Sequence, residues 1–166
     1  MARTKNQLIG RAGEYHVAYC LAVRQFHAAI TVGNAPHVDI IAASGEGSSL
    51  LSVQVKTRWA GCRCKWYGHE VWQWDVGAAA VGRHSPNLWH AFVDFHQEVV
   101  GKPTVFLVPS LCVAETVKAD WTRKIYPLKI EREPLCKERW DLIQKYFNRD
   151  SEALNWSTTV PSQAKL

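Results

Sequence analysis

"VDIIAASGEGSSLLSVQVKTR", residues 38–58, is the stretch whose reading decides the fold. Two apolar runs alternate in the manner of strands, and the glycines and serines of "SGEGSS" between them suit a turn. A turn centred between Glu46 and Gly47 sets Asp39 directly opposite Gln54, and His37 opposite Lys56. Successive side chains of a strand leave on opposite faces, so His37, Asp39, Gln54 and Lys56 project together. Val38, Ile40, Val53 and Val55 then make the other face, which is wholly apolar. A one-residue bulge would shift the pairing but still leave Gln54 and Lys56 side by side on one face. The hairpin is core on one side and carries a polar cluster on the other.

Outward from the hairpin, residues 5–25 read as a helix in which Gly10, Glu14, Val17, Ala18 and Leu21 recur at three- and four-residue intervals. Glu14 shares the sheet-facing side with its apolar neighbours and so joins the polar cluster. Strands are expected over 28–33, 37–43 and 49–56. Residues 57–75 are the least regular part, and "VGAAAV", residues 76–81, suits either helix or strand. Further strands fall at 89–95 and 104–108, followed by a short helix over 111–119. Residues 134–147 predict a late helix with Pro134 in its first turn and Cys136, Trp140, Ile143 and Phe147 as its buried stripe. The expected architecture is one α/β domain over 1–150 and a polar, flexible tail over 151–166.

Composition agrees with a globular, charged chain. Its 166 residues are 47% hydrophobic and 21% charged, enough for one domain with a substantial core. A net charge of +5 favours an acidic partner, with nucleic acid the commonest. No run of 18 apolar residues is present to span a membrane, and the opening stretch lacks a secretion signal. With five cysteines, an odd number, the expectation is reduced thiols in a cytoplasm.

The polar cluster carries the chemistry. Two carboxylates, an amide oxygen and a lysine brought into one small volume are costly unless they are paired or hold a cation. Oxygen ligands of this kind suit Mg2+ or Mn2+. The simpler reading of each residue is a cross-strand ion pair between Asp39 and Lys56, with Glu14 serving the helix dipole. The order of Gly13 and Glu14 on a first helix, then "VDII", then "VQVKTR" after a glycine-rich turn, resembles the PD-(D/E)XK nuclease superfamily. Within it, the small Holliday-junction-resolvase-like branch of restriction-endonuclease folds is the most similar. The resemblance covers residues 8–58. It implies an αβββαβ core with a mixed central sheet flanked by helices. It also implies an Mg2+- or Mn2+-dependent DNA endonuclease, with Glu14, Asp39, Gln54 and Lys56 as the catalytic set. Glu14, Asp39, Gln54 and the carbonyl of Val55 would hold the metal. The sequence departs from the family pattern in two places. Pro36 is separated from Asp39 by two residues, and Gln54 stands where most members have Glu.

The stretch 56–74 interleaves Lys56, Arg58, Arg63 and Lys65 with Trp59, Trp66, Tyr67, Trp72 and Trp74. Its basic side chains suit a phosphate backbone, with Arg58, Arg63 and Lys65 as the expected DNA contacts. Its rings would either stack on bases or roof the core. Trp89, Trp121 and Trp140 are expected in the core. Cys62, Cys64 and His69 are a weak zinc pattern, because no second Cys pair closes a tetrahedral site. The partner would be duplex or branched DNA, and cutting both strands calls for two sites, as in a homodimer. The alternatives are a catalytically inactive nuclease fold that binds DNA, and an accessory subunit whose tryptophan-rich surface is a protein interface.

Overall fold

A computed structural model describes residues 2–32, 37–60, 63–66, 68–97, 101–119 and 125–148. Helix α1 (Ala2–Ala22) leads into strands β1 (His27–Ile30), β2 (Ile40–Ala43) and β3 (Leu50–Arg58). A second hairpin follows, β4 (Arg63–Trp66) and β5 (His69–Asp75), then a 3-10 turn over Ala78–Gly82. Strands β6 (Leu88–Asp94) and β7 (Thr104–Pro109) precede helix α2 (Ser110–Ala119). The chain continues through β8 (Ile125–Lys129), α3 (Glu133–Cys136) and α4 (Trp140–Phe147). The expected α/β class holds. The main sheet is mixed, with order β1-β2-β3-β6-β7, and β3 and β6 form its parallel pair. A smaller antiparallel sheet has the order β4-β5-β8.

Alternation along the strands divides the main sheet into two faces. Ile40, Ala42, Leu51, Val53, Val55, Trp89, Ala91 and Val93 form one, buried under Val17, Cys20 and Leu21 of α1 and Trp140, Ile143 and Phe147 of α4. On the other face, Phe92, Phe106 and Val108 meet Trp72 and Trp74 of β5, Tyr126 and Leu128 of β8, and Val113 and Val117 of α2. This second cover stops short of β1, β2 and the start of β3, where Ile41 of β2 is 43% and Leu50 of β3 58% exposed. The result is an open shelf beside a wall, and β3 runs along the junction.

The β2–β3 register is the one the turn implies: Ile40 faces Val53 and Ala43 faces Leu50. Gly47, at φ 71°, takes the left-handed position in that turn, and its N–H donates to Ser44 O at 2.8 Å. The expectation that Asp39 and His37 continue the ladder is corrected. Pairing stops at Ile40, and His37 lies in a turn at φ 72° instead of opposite Lys56.

Three other differences have plain causes. In the segment 57–75, β3 runs on to Arg58 and residues 63–66 and 69–75 pair as a hairpin, with Gly68 (φ 81°) before β5, and β8 completes its sheet. The connection from β3 to β6 that an αβββαβ order gives to a helix is made by this hairpin and the 3-10 turn. The helix expected over 134–147 breaks at Lys137–Arg139, because the chain there pairs with the edge of β7. Glu138 N donates to Val105 O at 2.7 Å while Glu138 Oε1 accepts from Val105 N at 2.8 Å, so backbone and carboxylate together close an edge strand. Cys136, Trp140, Ile143 and Phe147 are buried as expected. The tail over 151–166 and Trp121 lie outside the described residues.

Candidate active site

The site starts where β2 and β3 separate. Beyond the Ile40–Val53 pair, Asp39 N still donates to Val53 O at 3.0 Å, but the next N–H on that edge of β3 meets a side chain. Val55 N donates to Asp39 Oδ2 at 2.6 Å. A carboxylate thus takes the place of a strand at the fork. Because the N–H and C=O of one residue leave an antiparallel strand on the same edge, the Val55 carbonyl faces the same gap. Asp39 is held there from both sides, since its own carbonyl accepts from Thr31 N at 2.9 Å. Asp39 Oδ1 has no hydrogen-bond or ion-pair partner among the described residues.

Gln54 and Lys56 stand on the open-shelf face of β3, half-buried and beside the wall. The parallel register sets Gln54 next to His90 and Lys56 next to Phe92 on β6. His90 is 1% exposed, stacks on Phe92 at 5.7 Å, and has no partner for either ring nitrogen. Burial first, and then the Lys56 ammonium, lower its pKa to about 4, so the imidazole is neutral at pH 7. Sequence reading left His90 out of the cluster. Only the β3–β6 pairing, which joins residues 36 apart in sequence, brings it there.

Glu14 comes from the other face. Helix α1 crosses β3 where Gly13 meets Thr57: a Cβ on Gly13 would lie 3.0 Å from Thr57 Cβ and Cγ2, and closer still to Oγ1. Glycine therefore lets the helix lie directly on the strand, one residue from Lys56, and the next helical residue is Glu14. Its carboxylate is mostly buried and pairs with Arg11 Nη1 at 2.5 Å. Asp39, Val55, Gln54 and Lys56 are thus gathered about the fork. Glu14 lies at the same end of β3, with Arg11 as its partner and no hydrogen bond to the other four among the described residues.

Of the expected DNA contacts, Arg58 donates to Gln73 O of β5 at 3.3 Å and fastens the wall to the end of β3. Arg63 is exposed on β4 but pairs with Glu70 at 2.7 Å, whereas Lys65 is exposed with no ion-pair partner among the described residues. Trp72 and Trp74 roof the core, and Trp59 stacks on Phe95 at 6.0 Å. Trp89 and Trp140 are buried, as expected. Cys62 lies outside the described residues, and Cys64 is a free thiol.

The donors fit a hard cation in type: a carboxylate, a backbone carbonyl and an amide oxygen. No group of three His, Cys, Asp or Glu side chains suited to a metal occurs among the described residues, so a cation here would depend on mixed oxygen ligands. No described helix is long and apolar enough to cross a membrane.

No protein-family model and no curated protein matches the sequence. The fold, however, is similar to the solved structure of a bacterial homing endonuclease, I-Ssp6803I, with a TM-score of 0.57. The match covers 87% of this chain and 97% of that one at 15% sequence identity, so the likeness is one of fold.

Proposed function

We propose that this chain is a divalent-metal-dependent DNA endonuclease of the PD-(D/E)XK type, hydrolysing phosphodiester bonds. The observation that carries the reading is the fork: Asp39 bonded to the Val55 N–H, with Gln54 and Lys56 on the adjoining face of the same strand. A purely structural hairpin would continue its ladder there and would have no use for a half-buried lysine beside an amide. The fold likeness to a homing endonuclease supports the same reading.

In this reading Asp39 Oδ1, the Val55 carbonyl and Gln54 Oε1 hold Mg2+ or Mn2+, and Glu14 contributes through the end of α1. The cation supplies Lewis acidity at the scissile phosphate and a lowered pKa for water. Lys56 orients the attacking water and stabilises the charge that builds on the pentacovalent phosphorus. The shelf of β1 and β2 gives room for a duplex, while Arg58 at the end of β3 and Arg63 and Lys65 on the wall meet its backbone. One domain spans residues 1–150, and two copies would cut two strands.

The test is incubation of the purified protein with duplex and branched DNA in Mg2+ or Mn2+, beside Lys56→Ala. Metal-dependent cleavage by the wild type and none by the variant is expected. DNA binding without cleavage at any metal concentration would instead support an inactive binding module, a reading favoured by the pairing of Glu14 with Arg11.

A further inference from the structure

Among the described residues, the buried side-chain polar atoms that lack a partner are Thr57 Oγ1 and both ring nitrogens of His90. Close packing against Gly13 accounts for the first. Nothing in the packing accounts for the second, and a buried imidazole without hydrogen bonds is costly enough to need a reason. Its direct neighbour across the parallel ladder is Gln54, one strand spacing away, or roughly 4.8 Å. Lys56 is diagonal to it, two residues along, with its head group on a longer stem.

Gln54 has a need that a glutamate would not have. The two oxygens of a carboxylate are equivalent, but an amide has an oxygen end and an NH2 end, and a cation accepts only the oxygen. We infer that His90 is a positioning residue. Both ring nitrogens stand unpartnered in this structure, and a rotation of the Gln54 side chain lets the unprotonated one accept a hydrogen bond from Gln54 Nε2 and so presents Oε1 to the gap lined by Asp39 and Val55. On this view the amide at position 54 and the imidazole at position 90 work as a pair. The inference rests on the nuclease reading and adds the residue that makes a glutamine serviceable in it.

The experiment measures Mn2+ binding to the full chain without DNA, by the electron paramagnetic resonance signal of free ion. It compares wild type, His90→Phe, His90→Asn, Gln54→Glu and the His90→Phe, Gln54→Glu double variant. His90→Phe should weaken binding about three- to ten-fold when Gln54 is present, the worth of one net hydrogen bond. It should change nothing when residue 54 is a carboxylate, and His90→Asn, which keeps an acceptor, should restore most of the affinity. A purely structural role would lower binding equally in both backgrounds. That result, or no loss in the Gln54 background, overturns the inference while the nuclease reading stands. Binding by Gln54→Glu alone, with none by wild type, also overturns it, since Oε1 would then not be presented. If neither wild type nor Gln54→Glu binds Mn2+, the nuclease reading itself fails and takes the inference with it. Should His90→Phe not fold, the 15N spectrum of the His90 imidazole decides. It should move on Gln54→Glu, and an unchanged spectrum overturns the pairing.

Discussion

Gly13→Ala tests the contact that puts α1 on β3. Alanine is a better helix former than glycine by about 1 kcal/mol, so on local grounds the substitution should stabilise the protein. The structure reverses that expectation. The new Cβ would lie 3.0 Å from Thr57 Cβ and Cγ2 and nearer still to Oγ1, and Thr57 is a short, branched side chain with little freedom to withdraw. Overpacking of this kind costs about 1–3 kcal/mol, which leaves a net loss of roughly 0–2 kcal/mol for Gly13→Ala. Removing the obstacle should recover the propensity gain. With Thr57→Ala in place, Gly13→Ala should stabilise by about 1 kcal/mol, so the coupling between the two sites is about 1–3 kcal/mol. Urea unfolding of the four proteins, with midpoints compared at constant slope, measures this directly. Gly13→Ala should also lower cleavage more than stability, because the helix can relieve the clash only by carrying Glu14 away from the end of β3. A stabilising Gly13→Ala with Thr57 present, or a coupling under about 0.5 kcal/mol, would refute the close approach.

Other expectations follow from the same geometry. Asp39→Asn keeps an acceptor for the Val55 N–H and should stay folded while losing Mn2+ binding and cleavage; Asp39→Ala should in addition cost about 1–3 kcal/mol of stability, read by thermal melting, for the orphaned donor. The His90 pKa of about 4 lies below the ordinary 6.5, so the unfolded chain takes up this proton first. Its stabilising effect should be complete above about pH 6.5 and disappear as pH falls towards 4, a change of about 3 kcal/mol at most. His90→Phe should flatten that stretch of a stability-against-pH curve. In DNA titrations at several salt concentrations, Lys65→Ala should lower the salt slope by about one, since this ammonium has no other ion pair among the described residues. Arg63→Ala should lower it less, because Glu70 already holds that charge; an equal or larger effect would mean that the pair opens on DNA.

The sequence by itself determined the β2–β3 hairpin, its register, and the grouping of Gln54 and Lys56 on one face. These are short-range facts, set by a turn and a two-residue period. It also marked Gly13 and Glu14, though not why a glycine stands there; the reason is a contact with Thr57, 44 residues away. Tertiary structure decided the rest. The end of the ladder at Ile40 and the bond from the Val55 N–H to the Asp39 carboxylate depend on how Thr31, just past β1, holds the Asp39 backbone. Whether Trp72 and Trp74 meet bases or core was undecidable locally, because an alternating aromatic strand serves either use until a second sheet folds over it. The late helix breaks for a similar reason, since the unpaired edge of β7 outbids helical propensity at Glu138. His90 illustrates the limit best: a histidine in an apolar strand carries no local sign of its neighbour. Parallel pairing joins strands distant in the chain, so only the folded β3–β6 ladder sets that imidazole beside Gln54.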